Sequence, residues 1–164
     1  MNYLMLTTLV HLFAVYPLRE DSQADVYKQC IVLSTGLSFL WHLQGEPRDS
    51  LIYILDYTFA LIWGLMDYLY ALAIYSHGND DSLYYESICI VLWNLWVLSL
   101  NLLIEARYPN RGKQYEFYHS VWHILSGVKA YIVAISIHRY IQRVSIEAQY
   151  GLCLKNPLEW ENLH

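Results

Sequence analysis

The chain has little of what would tie it to water or to a cross-linked framework. Its three cysteines, Cys30, Cys89 and Cys153, lie far apart with no Cys-x-x-Cys pair. That spacing points to neither a disulfide framework nor a thiol redox centre, and the three read as small buried apolar residues. Ten Lys and Arg stand against fifteen Asp and Glu, a net charge of −5, and no basic stripe occurs. Nucleic acid is therefore excluded as a partner. The long apolar runs lack the charged outer stripe that a water-soluble helix carries. Internal repeats and low-complexity segments are missing too.

What is present is apolar and aromatic. Hydrophobic residues make up 56% of the 164 positions, with 16 Tyr and 6 Trp. The mean hydropathy of +0.23 is held down by tyrosine, which gathers near the ends of the apolar runs as a membrane-interface belt does. Five runs stand out, at about 1–16, 26–43, 51–75, 83–104 and 117–141. They are separated by helix stops such as Pro17, Gln44-Gly45-Glu46-Pro47 and His77-Gly78-Asn79-Asp80-Asp81-Ser82. The first run has neither a basic leader nor a small-residue cleavage site, so a retained helix is expected. The pattern predicts an all-α, polytopic membrane helix bundle of about five spans, a single transmembrane domain over 1–164 with a polar tail at 142–164.

Within these runs a few polar residues sit where lipid penalises them most. Ser38 and His42 lie in the second run, Asp56 in the third, and His119 and His123 open the fifth. Strict alternation of spans puts the end of the second run, the start of the third and the start of the fifth on one membrane face, here called X; the opposite face is Y. His42, Asp56, His119 and His123 are then expected at a common depth. Intramembrane ionisable groups are costly and mark function by default.

His119-Ser-Val-Trp-His123 sets two imidazoles at i and i+4 on one helix face, within reach of one ion. Ser38 and His42 repeat that spacing. Three imidazoles leave a fourth position open on a tetrahedral Zn2+, the arrangement of a catalytic site. Asp56 would then act as proton acceptor, with Ser38 orienting water or donating to an oxyanion. The competing reading is that each polar group hydrogen-bonds a neighbouring helix.

The segments Gly36-Leu-Ser38-Phe-Leu-Trp-His42, Leu55-Asp56-Tyr57 and His119-Ser-Val-Trp-His123-Ile-Leu resemble the CREST superfamily of membrane hydrolases. That group holds the alkaline ceramidases, the progestin and adipoQ receptors, GPI-remodelling proteins, and the branch of myomaker and the GPI-processing phospholipase A2. The last branch is the most similar. The resemblance implies zinc held by His42, His119 and His123, with Asp56 and Ser38 at the metal's water. Tyr57 follows Asp56 where ceramidases carry Asp-Glu, and no acidic Trp-Cys-Glu stretch is found, so no calcium site is carried over. One helix separates the Asp56 run from the double-histidine run where the family has three; a homodimer is one way to complete the cavity.

The expected function is a zinc-dependent hydrolase of a lipid acyl ester or amide bond, with a membrane lipid as substrate. The alternatives are a metal-stabilised scaffold or fusion factor and an adipoQ-type receptor. Asp67, with Ala60, Gly64 and Ala71, reads as close helix packing. Lys129 is expected to pair with Asp67 or an asparagine, and Asn94 and Asn101 to bond between helices. His11, His77, His138 and His164 read as interfacial. Basic residues nearly balance between the faces, with a slight lean towards Y, and hence the C-terminus, as cytosolic.

Overall fold

Each apolar run becomes a helix because its interior lacks proline and its ends carry breakers. The computed structural model describes residues 3–76 and 81–155. The order is α1 (Tyr3–Thr8), a 3-10 segment (Leu9–Leu18), a 3-10 turn (Ser22–Ala24), α2 (Asp25–Leu43), α3 (Leu51–Ser76), α4 (Asp81–Arg107) and α5 (Lys113–Lys155). No strand occurs among the described residues. The protein is an all-α bundle.

Helices α3, α4 and α5 are long and apolar enough to cross a membrane. Leu61 and Leu65 of α3 and Leu92 and Leu103 of α4 are each more than half exposed. An apolar surface this extensive is at home in hydrocarbon. Helix α2 packs on α3, and the 3-10 segment packs on α5. The loops 44–50 and 108–112 meet at one end of the bundle through Arg111 Nη1, which donates to the Glu46 carbonyl at 2.6 Å. At the other end, Asp21 (before α2) pairs with His138 and Gln142 of α5 at 2.7 and 3.2 Å.

The first apolar run departs from the expected α-helix. After Thr8 the chain tightens into a ten-residue 3-10 coil that runs through Pro17. Thr7 and Thr8 donate their hydroxyls to the carbonyls of Leu4 and Met5, three residues back, at 2.9 and 2.8 Å. His11 Nδ1 donates likewise to the Thr8 carbonyl at 2.7 Å. Side chains three apart eclipse on such a coil, and Thr8, His11 and Ala14 form its buried stripe. Length is the gain: residues 3–18 extend roughly 29 Å in this form, against about 24 Å as a pure α-helix. The hydrocarbon layer is about 30 Å thick.

Small residues on α5 receive this coil. Ala130 and Ala134 are fully buried, and a Cβ on Gly127 would lie 2.7 Å from Val10 Cγ1 and 3.1 Å from its Cβ. Helix α5 also runs on to Lys155, through residues expected to be tail. Gln142, Arg143, Glu147 and Ala148 are good helix formers, and no proline or glycine intervenes before Gly151. The turn at 77–80 and the tail beyond 155 lie outside the described residues. Cys30 is buried as expected, whereas Cys89 is exposed on α4.

Lys129 and Asp67 pair inside the bundle. Lys129 Nζ of α5 donates to Asp67 Oδ2 of α3 at 2.6 Å and to Asn94 Oδ1 of α4 at 2.9 Å. Tyr27 of α2 donates its hydroxyl to Asp67 Oδ1 at 2.6 Å and accepts the Trp63 indole N–H at 3.1 Å. Asp67 thus does more than continue a small-residue face, and both expected partners of Lys129 are engaged. One network ties α2, α3, α4 and α5.

Two outcomes follow. Gly127→Ala should lower the thermal midpoint in detergent, and Val10→Ala, which removes the Cγ1 at 2.7 Å but keeps the Cβ at 3.1 Å, should restore part of the loss; no restoration would mean that the contact is not the cause. Lys129→Met should cost on the order of 3–5 kcal/mol, because it strands a buried carboxylate. The double variant Lys129→Met, Asp67→Asn should recover much of that in the same thermal assay.

Candidate metal centre

Helix α2 ends in a turn that aims its last side chains. Gly45 takes φ +79° and Glu46 φ +64°. The Glu46 N–H bonds the Trp41 carbonyl at 3.1 Å and the Gly45 N–H bonds the His42 carbonyl at 3.2 Å. This is the Schellman pattern, with glycine at the left-handed position. It folds Glu46 back over the final turn of α2, where His42 Nδ1 donates to its Oε1 at 2.9 Å. Ser50 then caps α3, its Oγ accepting the Tyr53 N–H at 3.1 Å.

His119 and His123 meet His42 from α5. Ring centroids are 4.8 Å apart for His119 and His123, 5.4 Å for His42 and His119, and 5.2 Å for His42 and His123. One ligating nitrogen from each lies within 4.8 Å of the others, and all three residues are buried. His42 Nε2 and His123 Nε2 are 3.0 Å apart, near the roughly 3.3 Å that two nitrogens take on tetrahedral zinc. Since His42 Nδ1 is a donor to Glu46, its Nε2 presents a lone pair inward. A proton on His123 Nε2 would satisfy that one contact without metal, but His119 would gain nothing from it. Nδ1 of His119 and Nδ1 of His123 are buried with no hydrogen-bond partner among the described residues. The donor set fits a metal ion: three imidazoles converge, one of them backed by a carboxylate.

The five residues expected at the site are not all brought together. His42, His119 and His123 form the group. Asp56 is buried on α3 but its oxygens lie outside the group of ligating atoms. Its neighbour Tyr57 packs edge-on to Trp41, the residue before His42. Ser38 lies one turn before His42 on α2 and is partly exposed.

The surroundings hold residues that the sequence reading assigned elsewhere. Glu46 was legible only as a helix stop, although its i+4 spacing from His42 across a glycine was a usable signal. His11, expected at the interface, is buried, because the stretched 3-10 coil carries it inward. Its ring packs edge-on to His123 at 5.6 Å and to Trp63 at 5.5 Å, and its Nε2 lies 2.7 Å from Ser126 Oγ. His138 is partly exposed and pairs with Asp21 at 2.7 Å. His77 and His164 lie outside the described residues.

No family model, curated protein or solved structure matches the chain. Purified protein loaded with a divalent transition metal should hold about one ion per chain. His42→Ala and His123→Ala should each abolish that stoichiometry in elemental analysis, and Asp56→Ala should keep it. Equal metal content in wild type and His123→Ala would rule the centre out.

Proposed function

We propose that the protein is a multi-pass membrane hydrolase that cleaves an acyl ester or amide bond of a lipid at a zinc centre held by His42, His119 and His123. The observation that carries this reading is the convergence of three buried imidazoles from two helices near one end of an apolar bundle. Imidazole sets of this kind suit zinc, and three protein ligands leave room for a reactant. When bound, the metal supplies Lewis acidity beside the scissile carbonyl.

The chain's own residues account for the rest. The lipid-facing leucines let a substrate keep its tails in hydrocarbon while its carbonyl lies at the depth of His42. Trp41, Tyr115 and Trp122 wall the imidazoles with apolar ring faces, which keeps bulk water away. Asp56 is the proton acceptor in this scheme: it is buried on the neighbouring helix and has no ion-pair partner among the described residues. Ser38, one turn from His42, orients the reacting oxygen. The CREST resemblance of the Ser38, His42, Asp56, His119 and His123 pattern supports the same assignment and favours the ester. Face Y is taken as cytosolic, with five spans in all.

A second reading is a metal-stabilised membrane scaffold. The His42 side chain is fully buried, which suits an ion that clamps helices. The two readings separate on Asp56→Ala. A hydrolase should retain its metal and thermal midpoint while fatty-acid release from a broad lipid panel falls by on the order of 100-fold or more. A scaffold should be indifferent. If wild type releases no fatty acid from any lipid, the hydrolase reading fails.

A further inference from the structure

Two loops close face X over the histidines, and one side chain joins them. Arg111, between α4 and α5, donates from Nη1 to the Glu46 carbonyl at 2.6 Å, and the same nitrogen lies 3.5 Å from Glu46 Oε2. Its guanidinium covers the Trp41 ring at 4.6 Å and the Tyr115 ring at 5.4 Å. Each of these partners touches a ligating imidazole. Glu46 accepts from His42 at 2.9 Å. Trp41 packs on His42 at 4.9 Å, and Tyr115 stacks on His119 at 4.9 Å and 25°.

The backbone is bent out of its preferred region to make this contact. Glu46 at φ +64° and Arg111 at φ +46° are the only non-glycine residues with left-handed backbone among the described residues. Such conformations cost free energy and persist where surrounding contacts over-determine them. Here both fall on the two ends of a single contact.

Glu105 completes the assembly. Its Oε1 accepts the Tyr115 hydroxyl at 2.7 Å, and its Oε2 pairs with Arg48 at 3.0 Å and lies 3.5 Å from Arg111 Nη2. Arg111 is mostly covered, while Arg48 is half exposed at the rim. The two arginines therefore differ in kind: one grips the residues that back the imidazoles, and the other, among the described residues, reaches only Glu105.

We propose that Arg111 is a positioning residue: by clasping loop 44–50 to loop 108–112 it seats Glu46 on His42 and Tyr115 on His119, and so pre-forms the three-imidazole centre. The inference rests on the metal reading above. A planar guanidinium suits the task, since it can hydrogen-bond at its edge and stack on its face at once, which an ammonium cannot. Hydrogen-bonded partners of metal-ligating histidines are typically worth 10–100-fold in metal affinity.

The test uses full-length protein in detergent, stripped of metal and titrated with Zn2+ against a chromophoric chelator. Arg111→Gly suits the left-handed turn, so it should fold while removing the clasp; Glu46→Gln keeps the shape but not the charge. Each should weaken zinc binding by about 10–100-fold, and Arg48→Met should bind as wild type does. Nitrogen-15 spectra of the metal-free histidines supply a readout independent of zinc. The wild-type His42 signal should report a proton fixed on Nδ1, and both variants should lose that preference. Wild-type zinc affinity in Arg111→Gly, or a His42 signal unchanged by it, overturns the proposal. If wild type binds no zinc but the His42 signal still shifts in Arg111→Gly, the clasp stands and the metal reading fails.

Discussion

A charge inside an apolar bundle must meet its partner inside the same bundle, and the contact of Lys129 with Asp67 at 2.6 Å sets the terms for the rest. Breaking one side leaves an uncompensated ion, so the pair admits few alternative registers. Tyr27, Trp63 and Asn94 extend the constraint to every helix from α2 to α5. Lys129 lies six residues from His123 on α5, about 9 Å along the axis. Fixing one fixes the depth of the other. The three imidazoles can meet near one end of the bundle because the helices carrying them are already locked further along it.

Above that lock the centre is built by helix-end chemistry. Glycine at position 45 permits the turn that folds Glu46 onto His42, and the i, i+4 spacing of His119 and His123 does the rest. The aromatic residues around them exclude water and provide faces on which Arg111 can lie. Loops 44–50 and 108–112 thus do more than connect: they hold the carboxylate and the ring that back two of the three ligands.

Much of this could be read from the residues alone, for physical reasons. The cost of burying polarity in lipid made His42, His119, His123 and Asp56 conspicuous, and alternation of spans gave a reason to expect the histidines near one another, where the structure has them as one cluster. The same cost pointed Lys129 to Asp67 or an asparagine, and it bonds both Asp67 and Asn94. Less was legible where local geometry decides. A 3-10 coil and an α-helix share the same apolar composition, so the stretch at Leu9–Leu18 and the burial of His11 that follows from it gave no pattern to detect. Polarity after Ile141 suggested a tail, yet propensity carried α5 onward. Glu46 and Arg111 looked like loop charges because their role depends on a contact 65 residues apart in sequence.

The tightly wound first span carries a consequence of its own. Ten residues that relaxed from three to 3.6 per turn would shorten by about 5 Å. A thinner bilayer would favour that relaxation, since mismatch between a span and its lipid costs fractions of a kcal/mol per Å. Rewinding would rotate Thr8, His11 and Ala14 off their common stripe and draw His11 from the flank of His123.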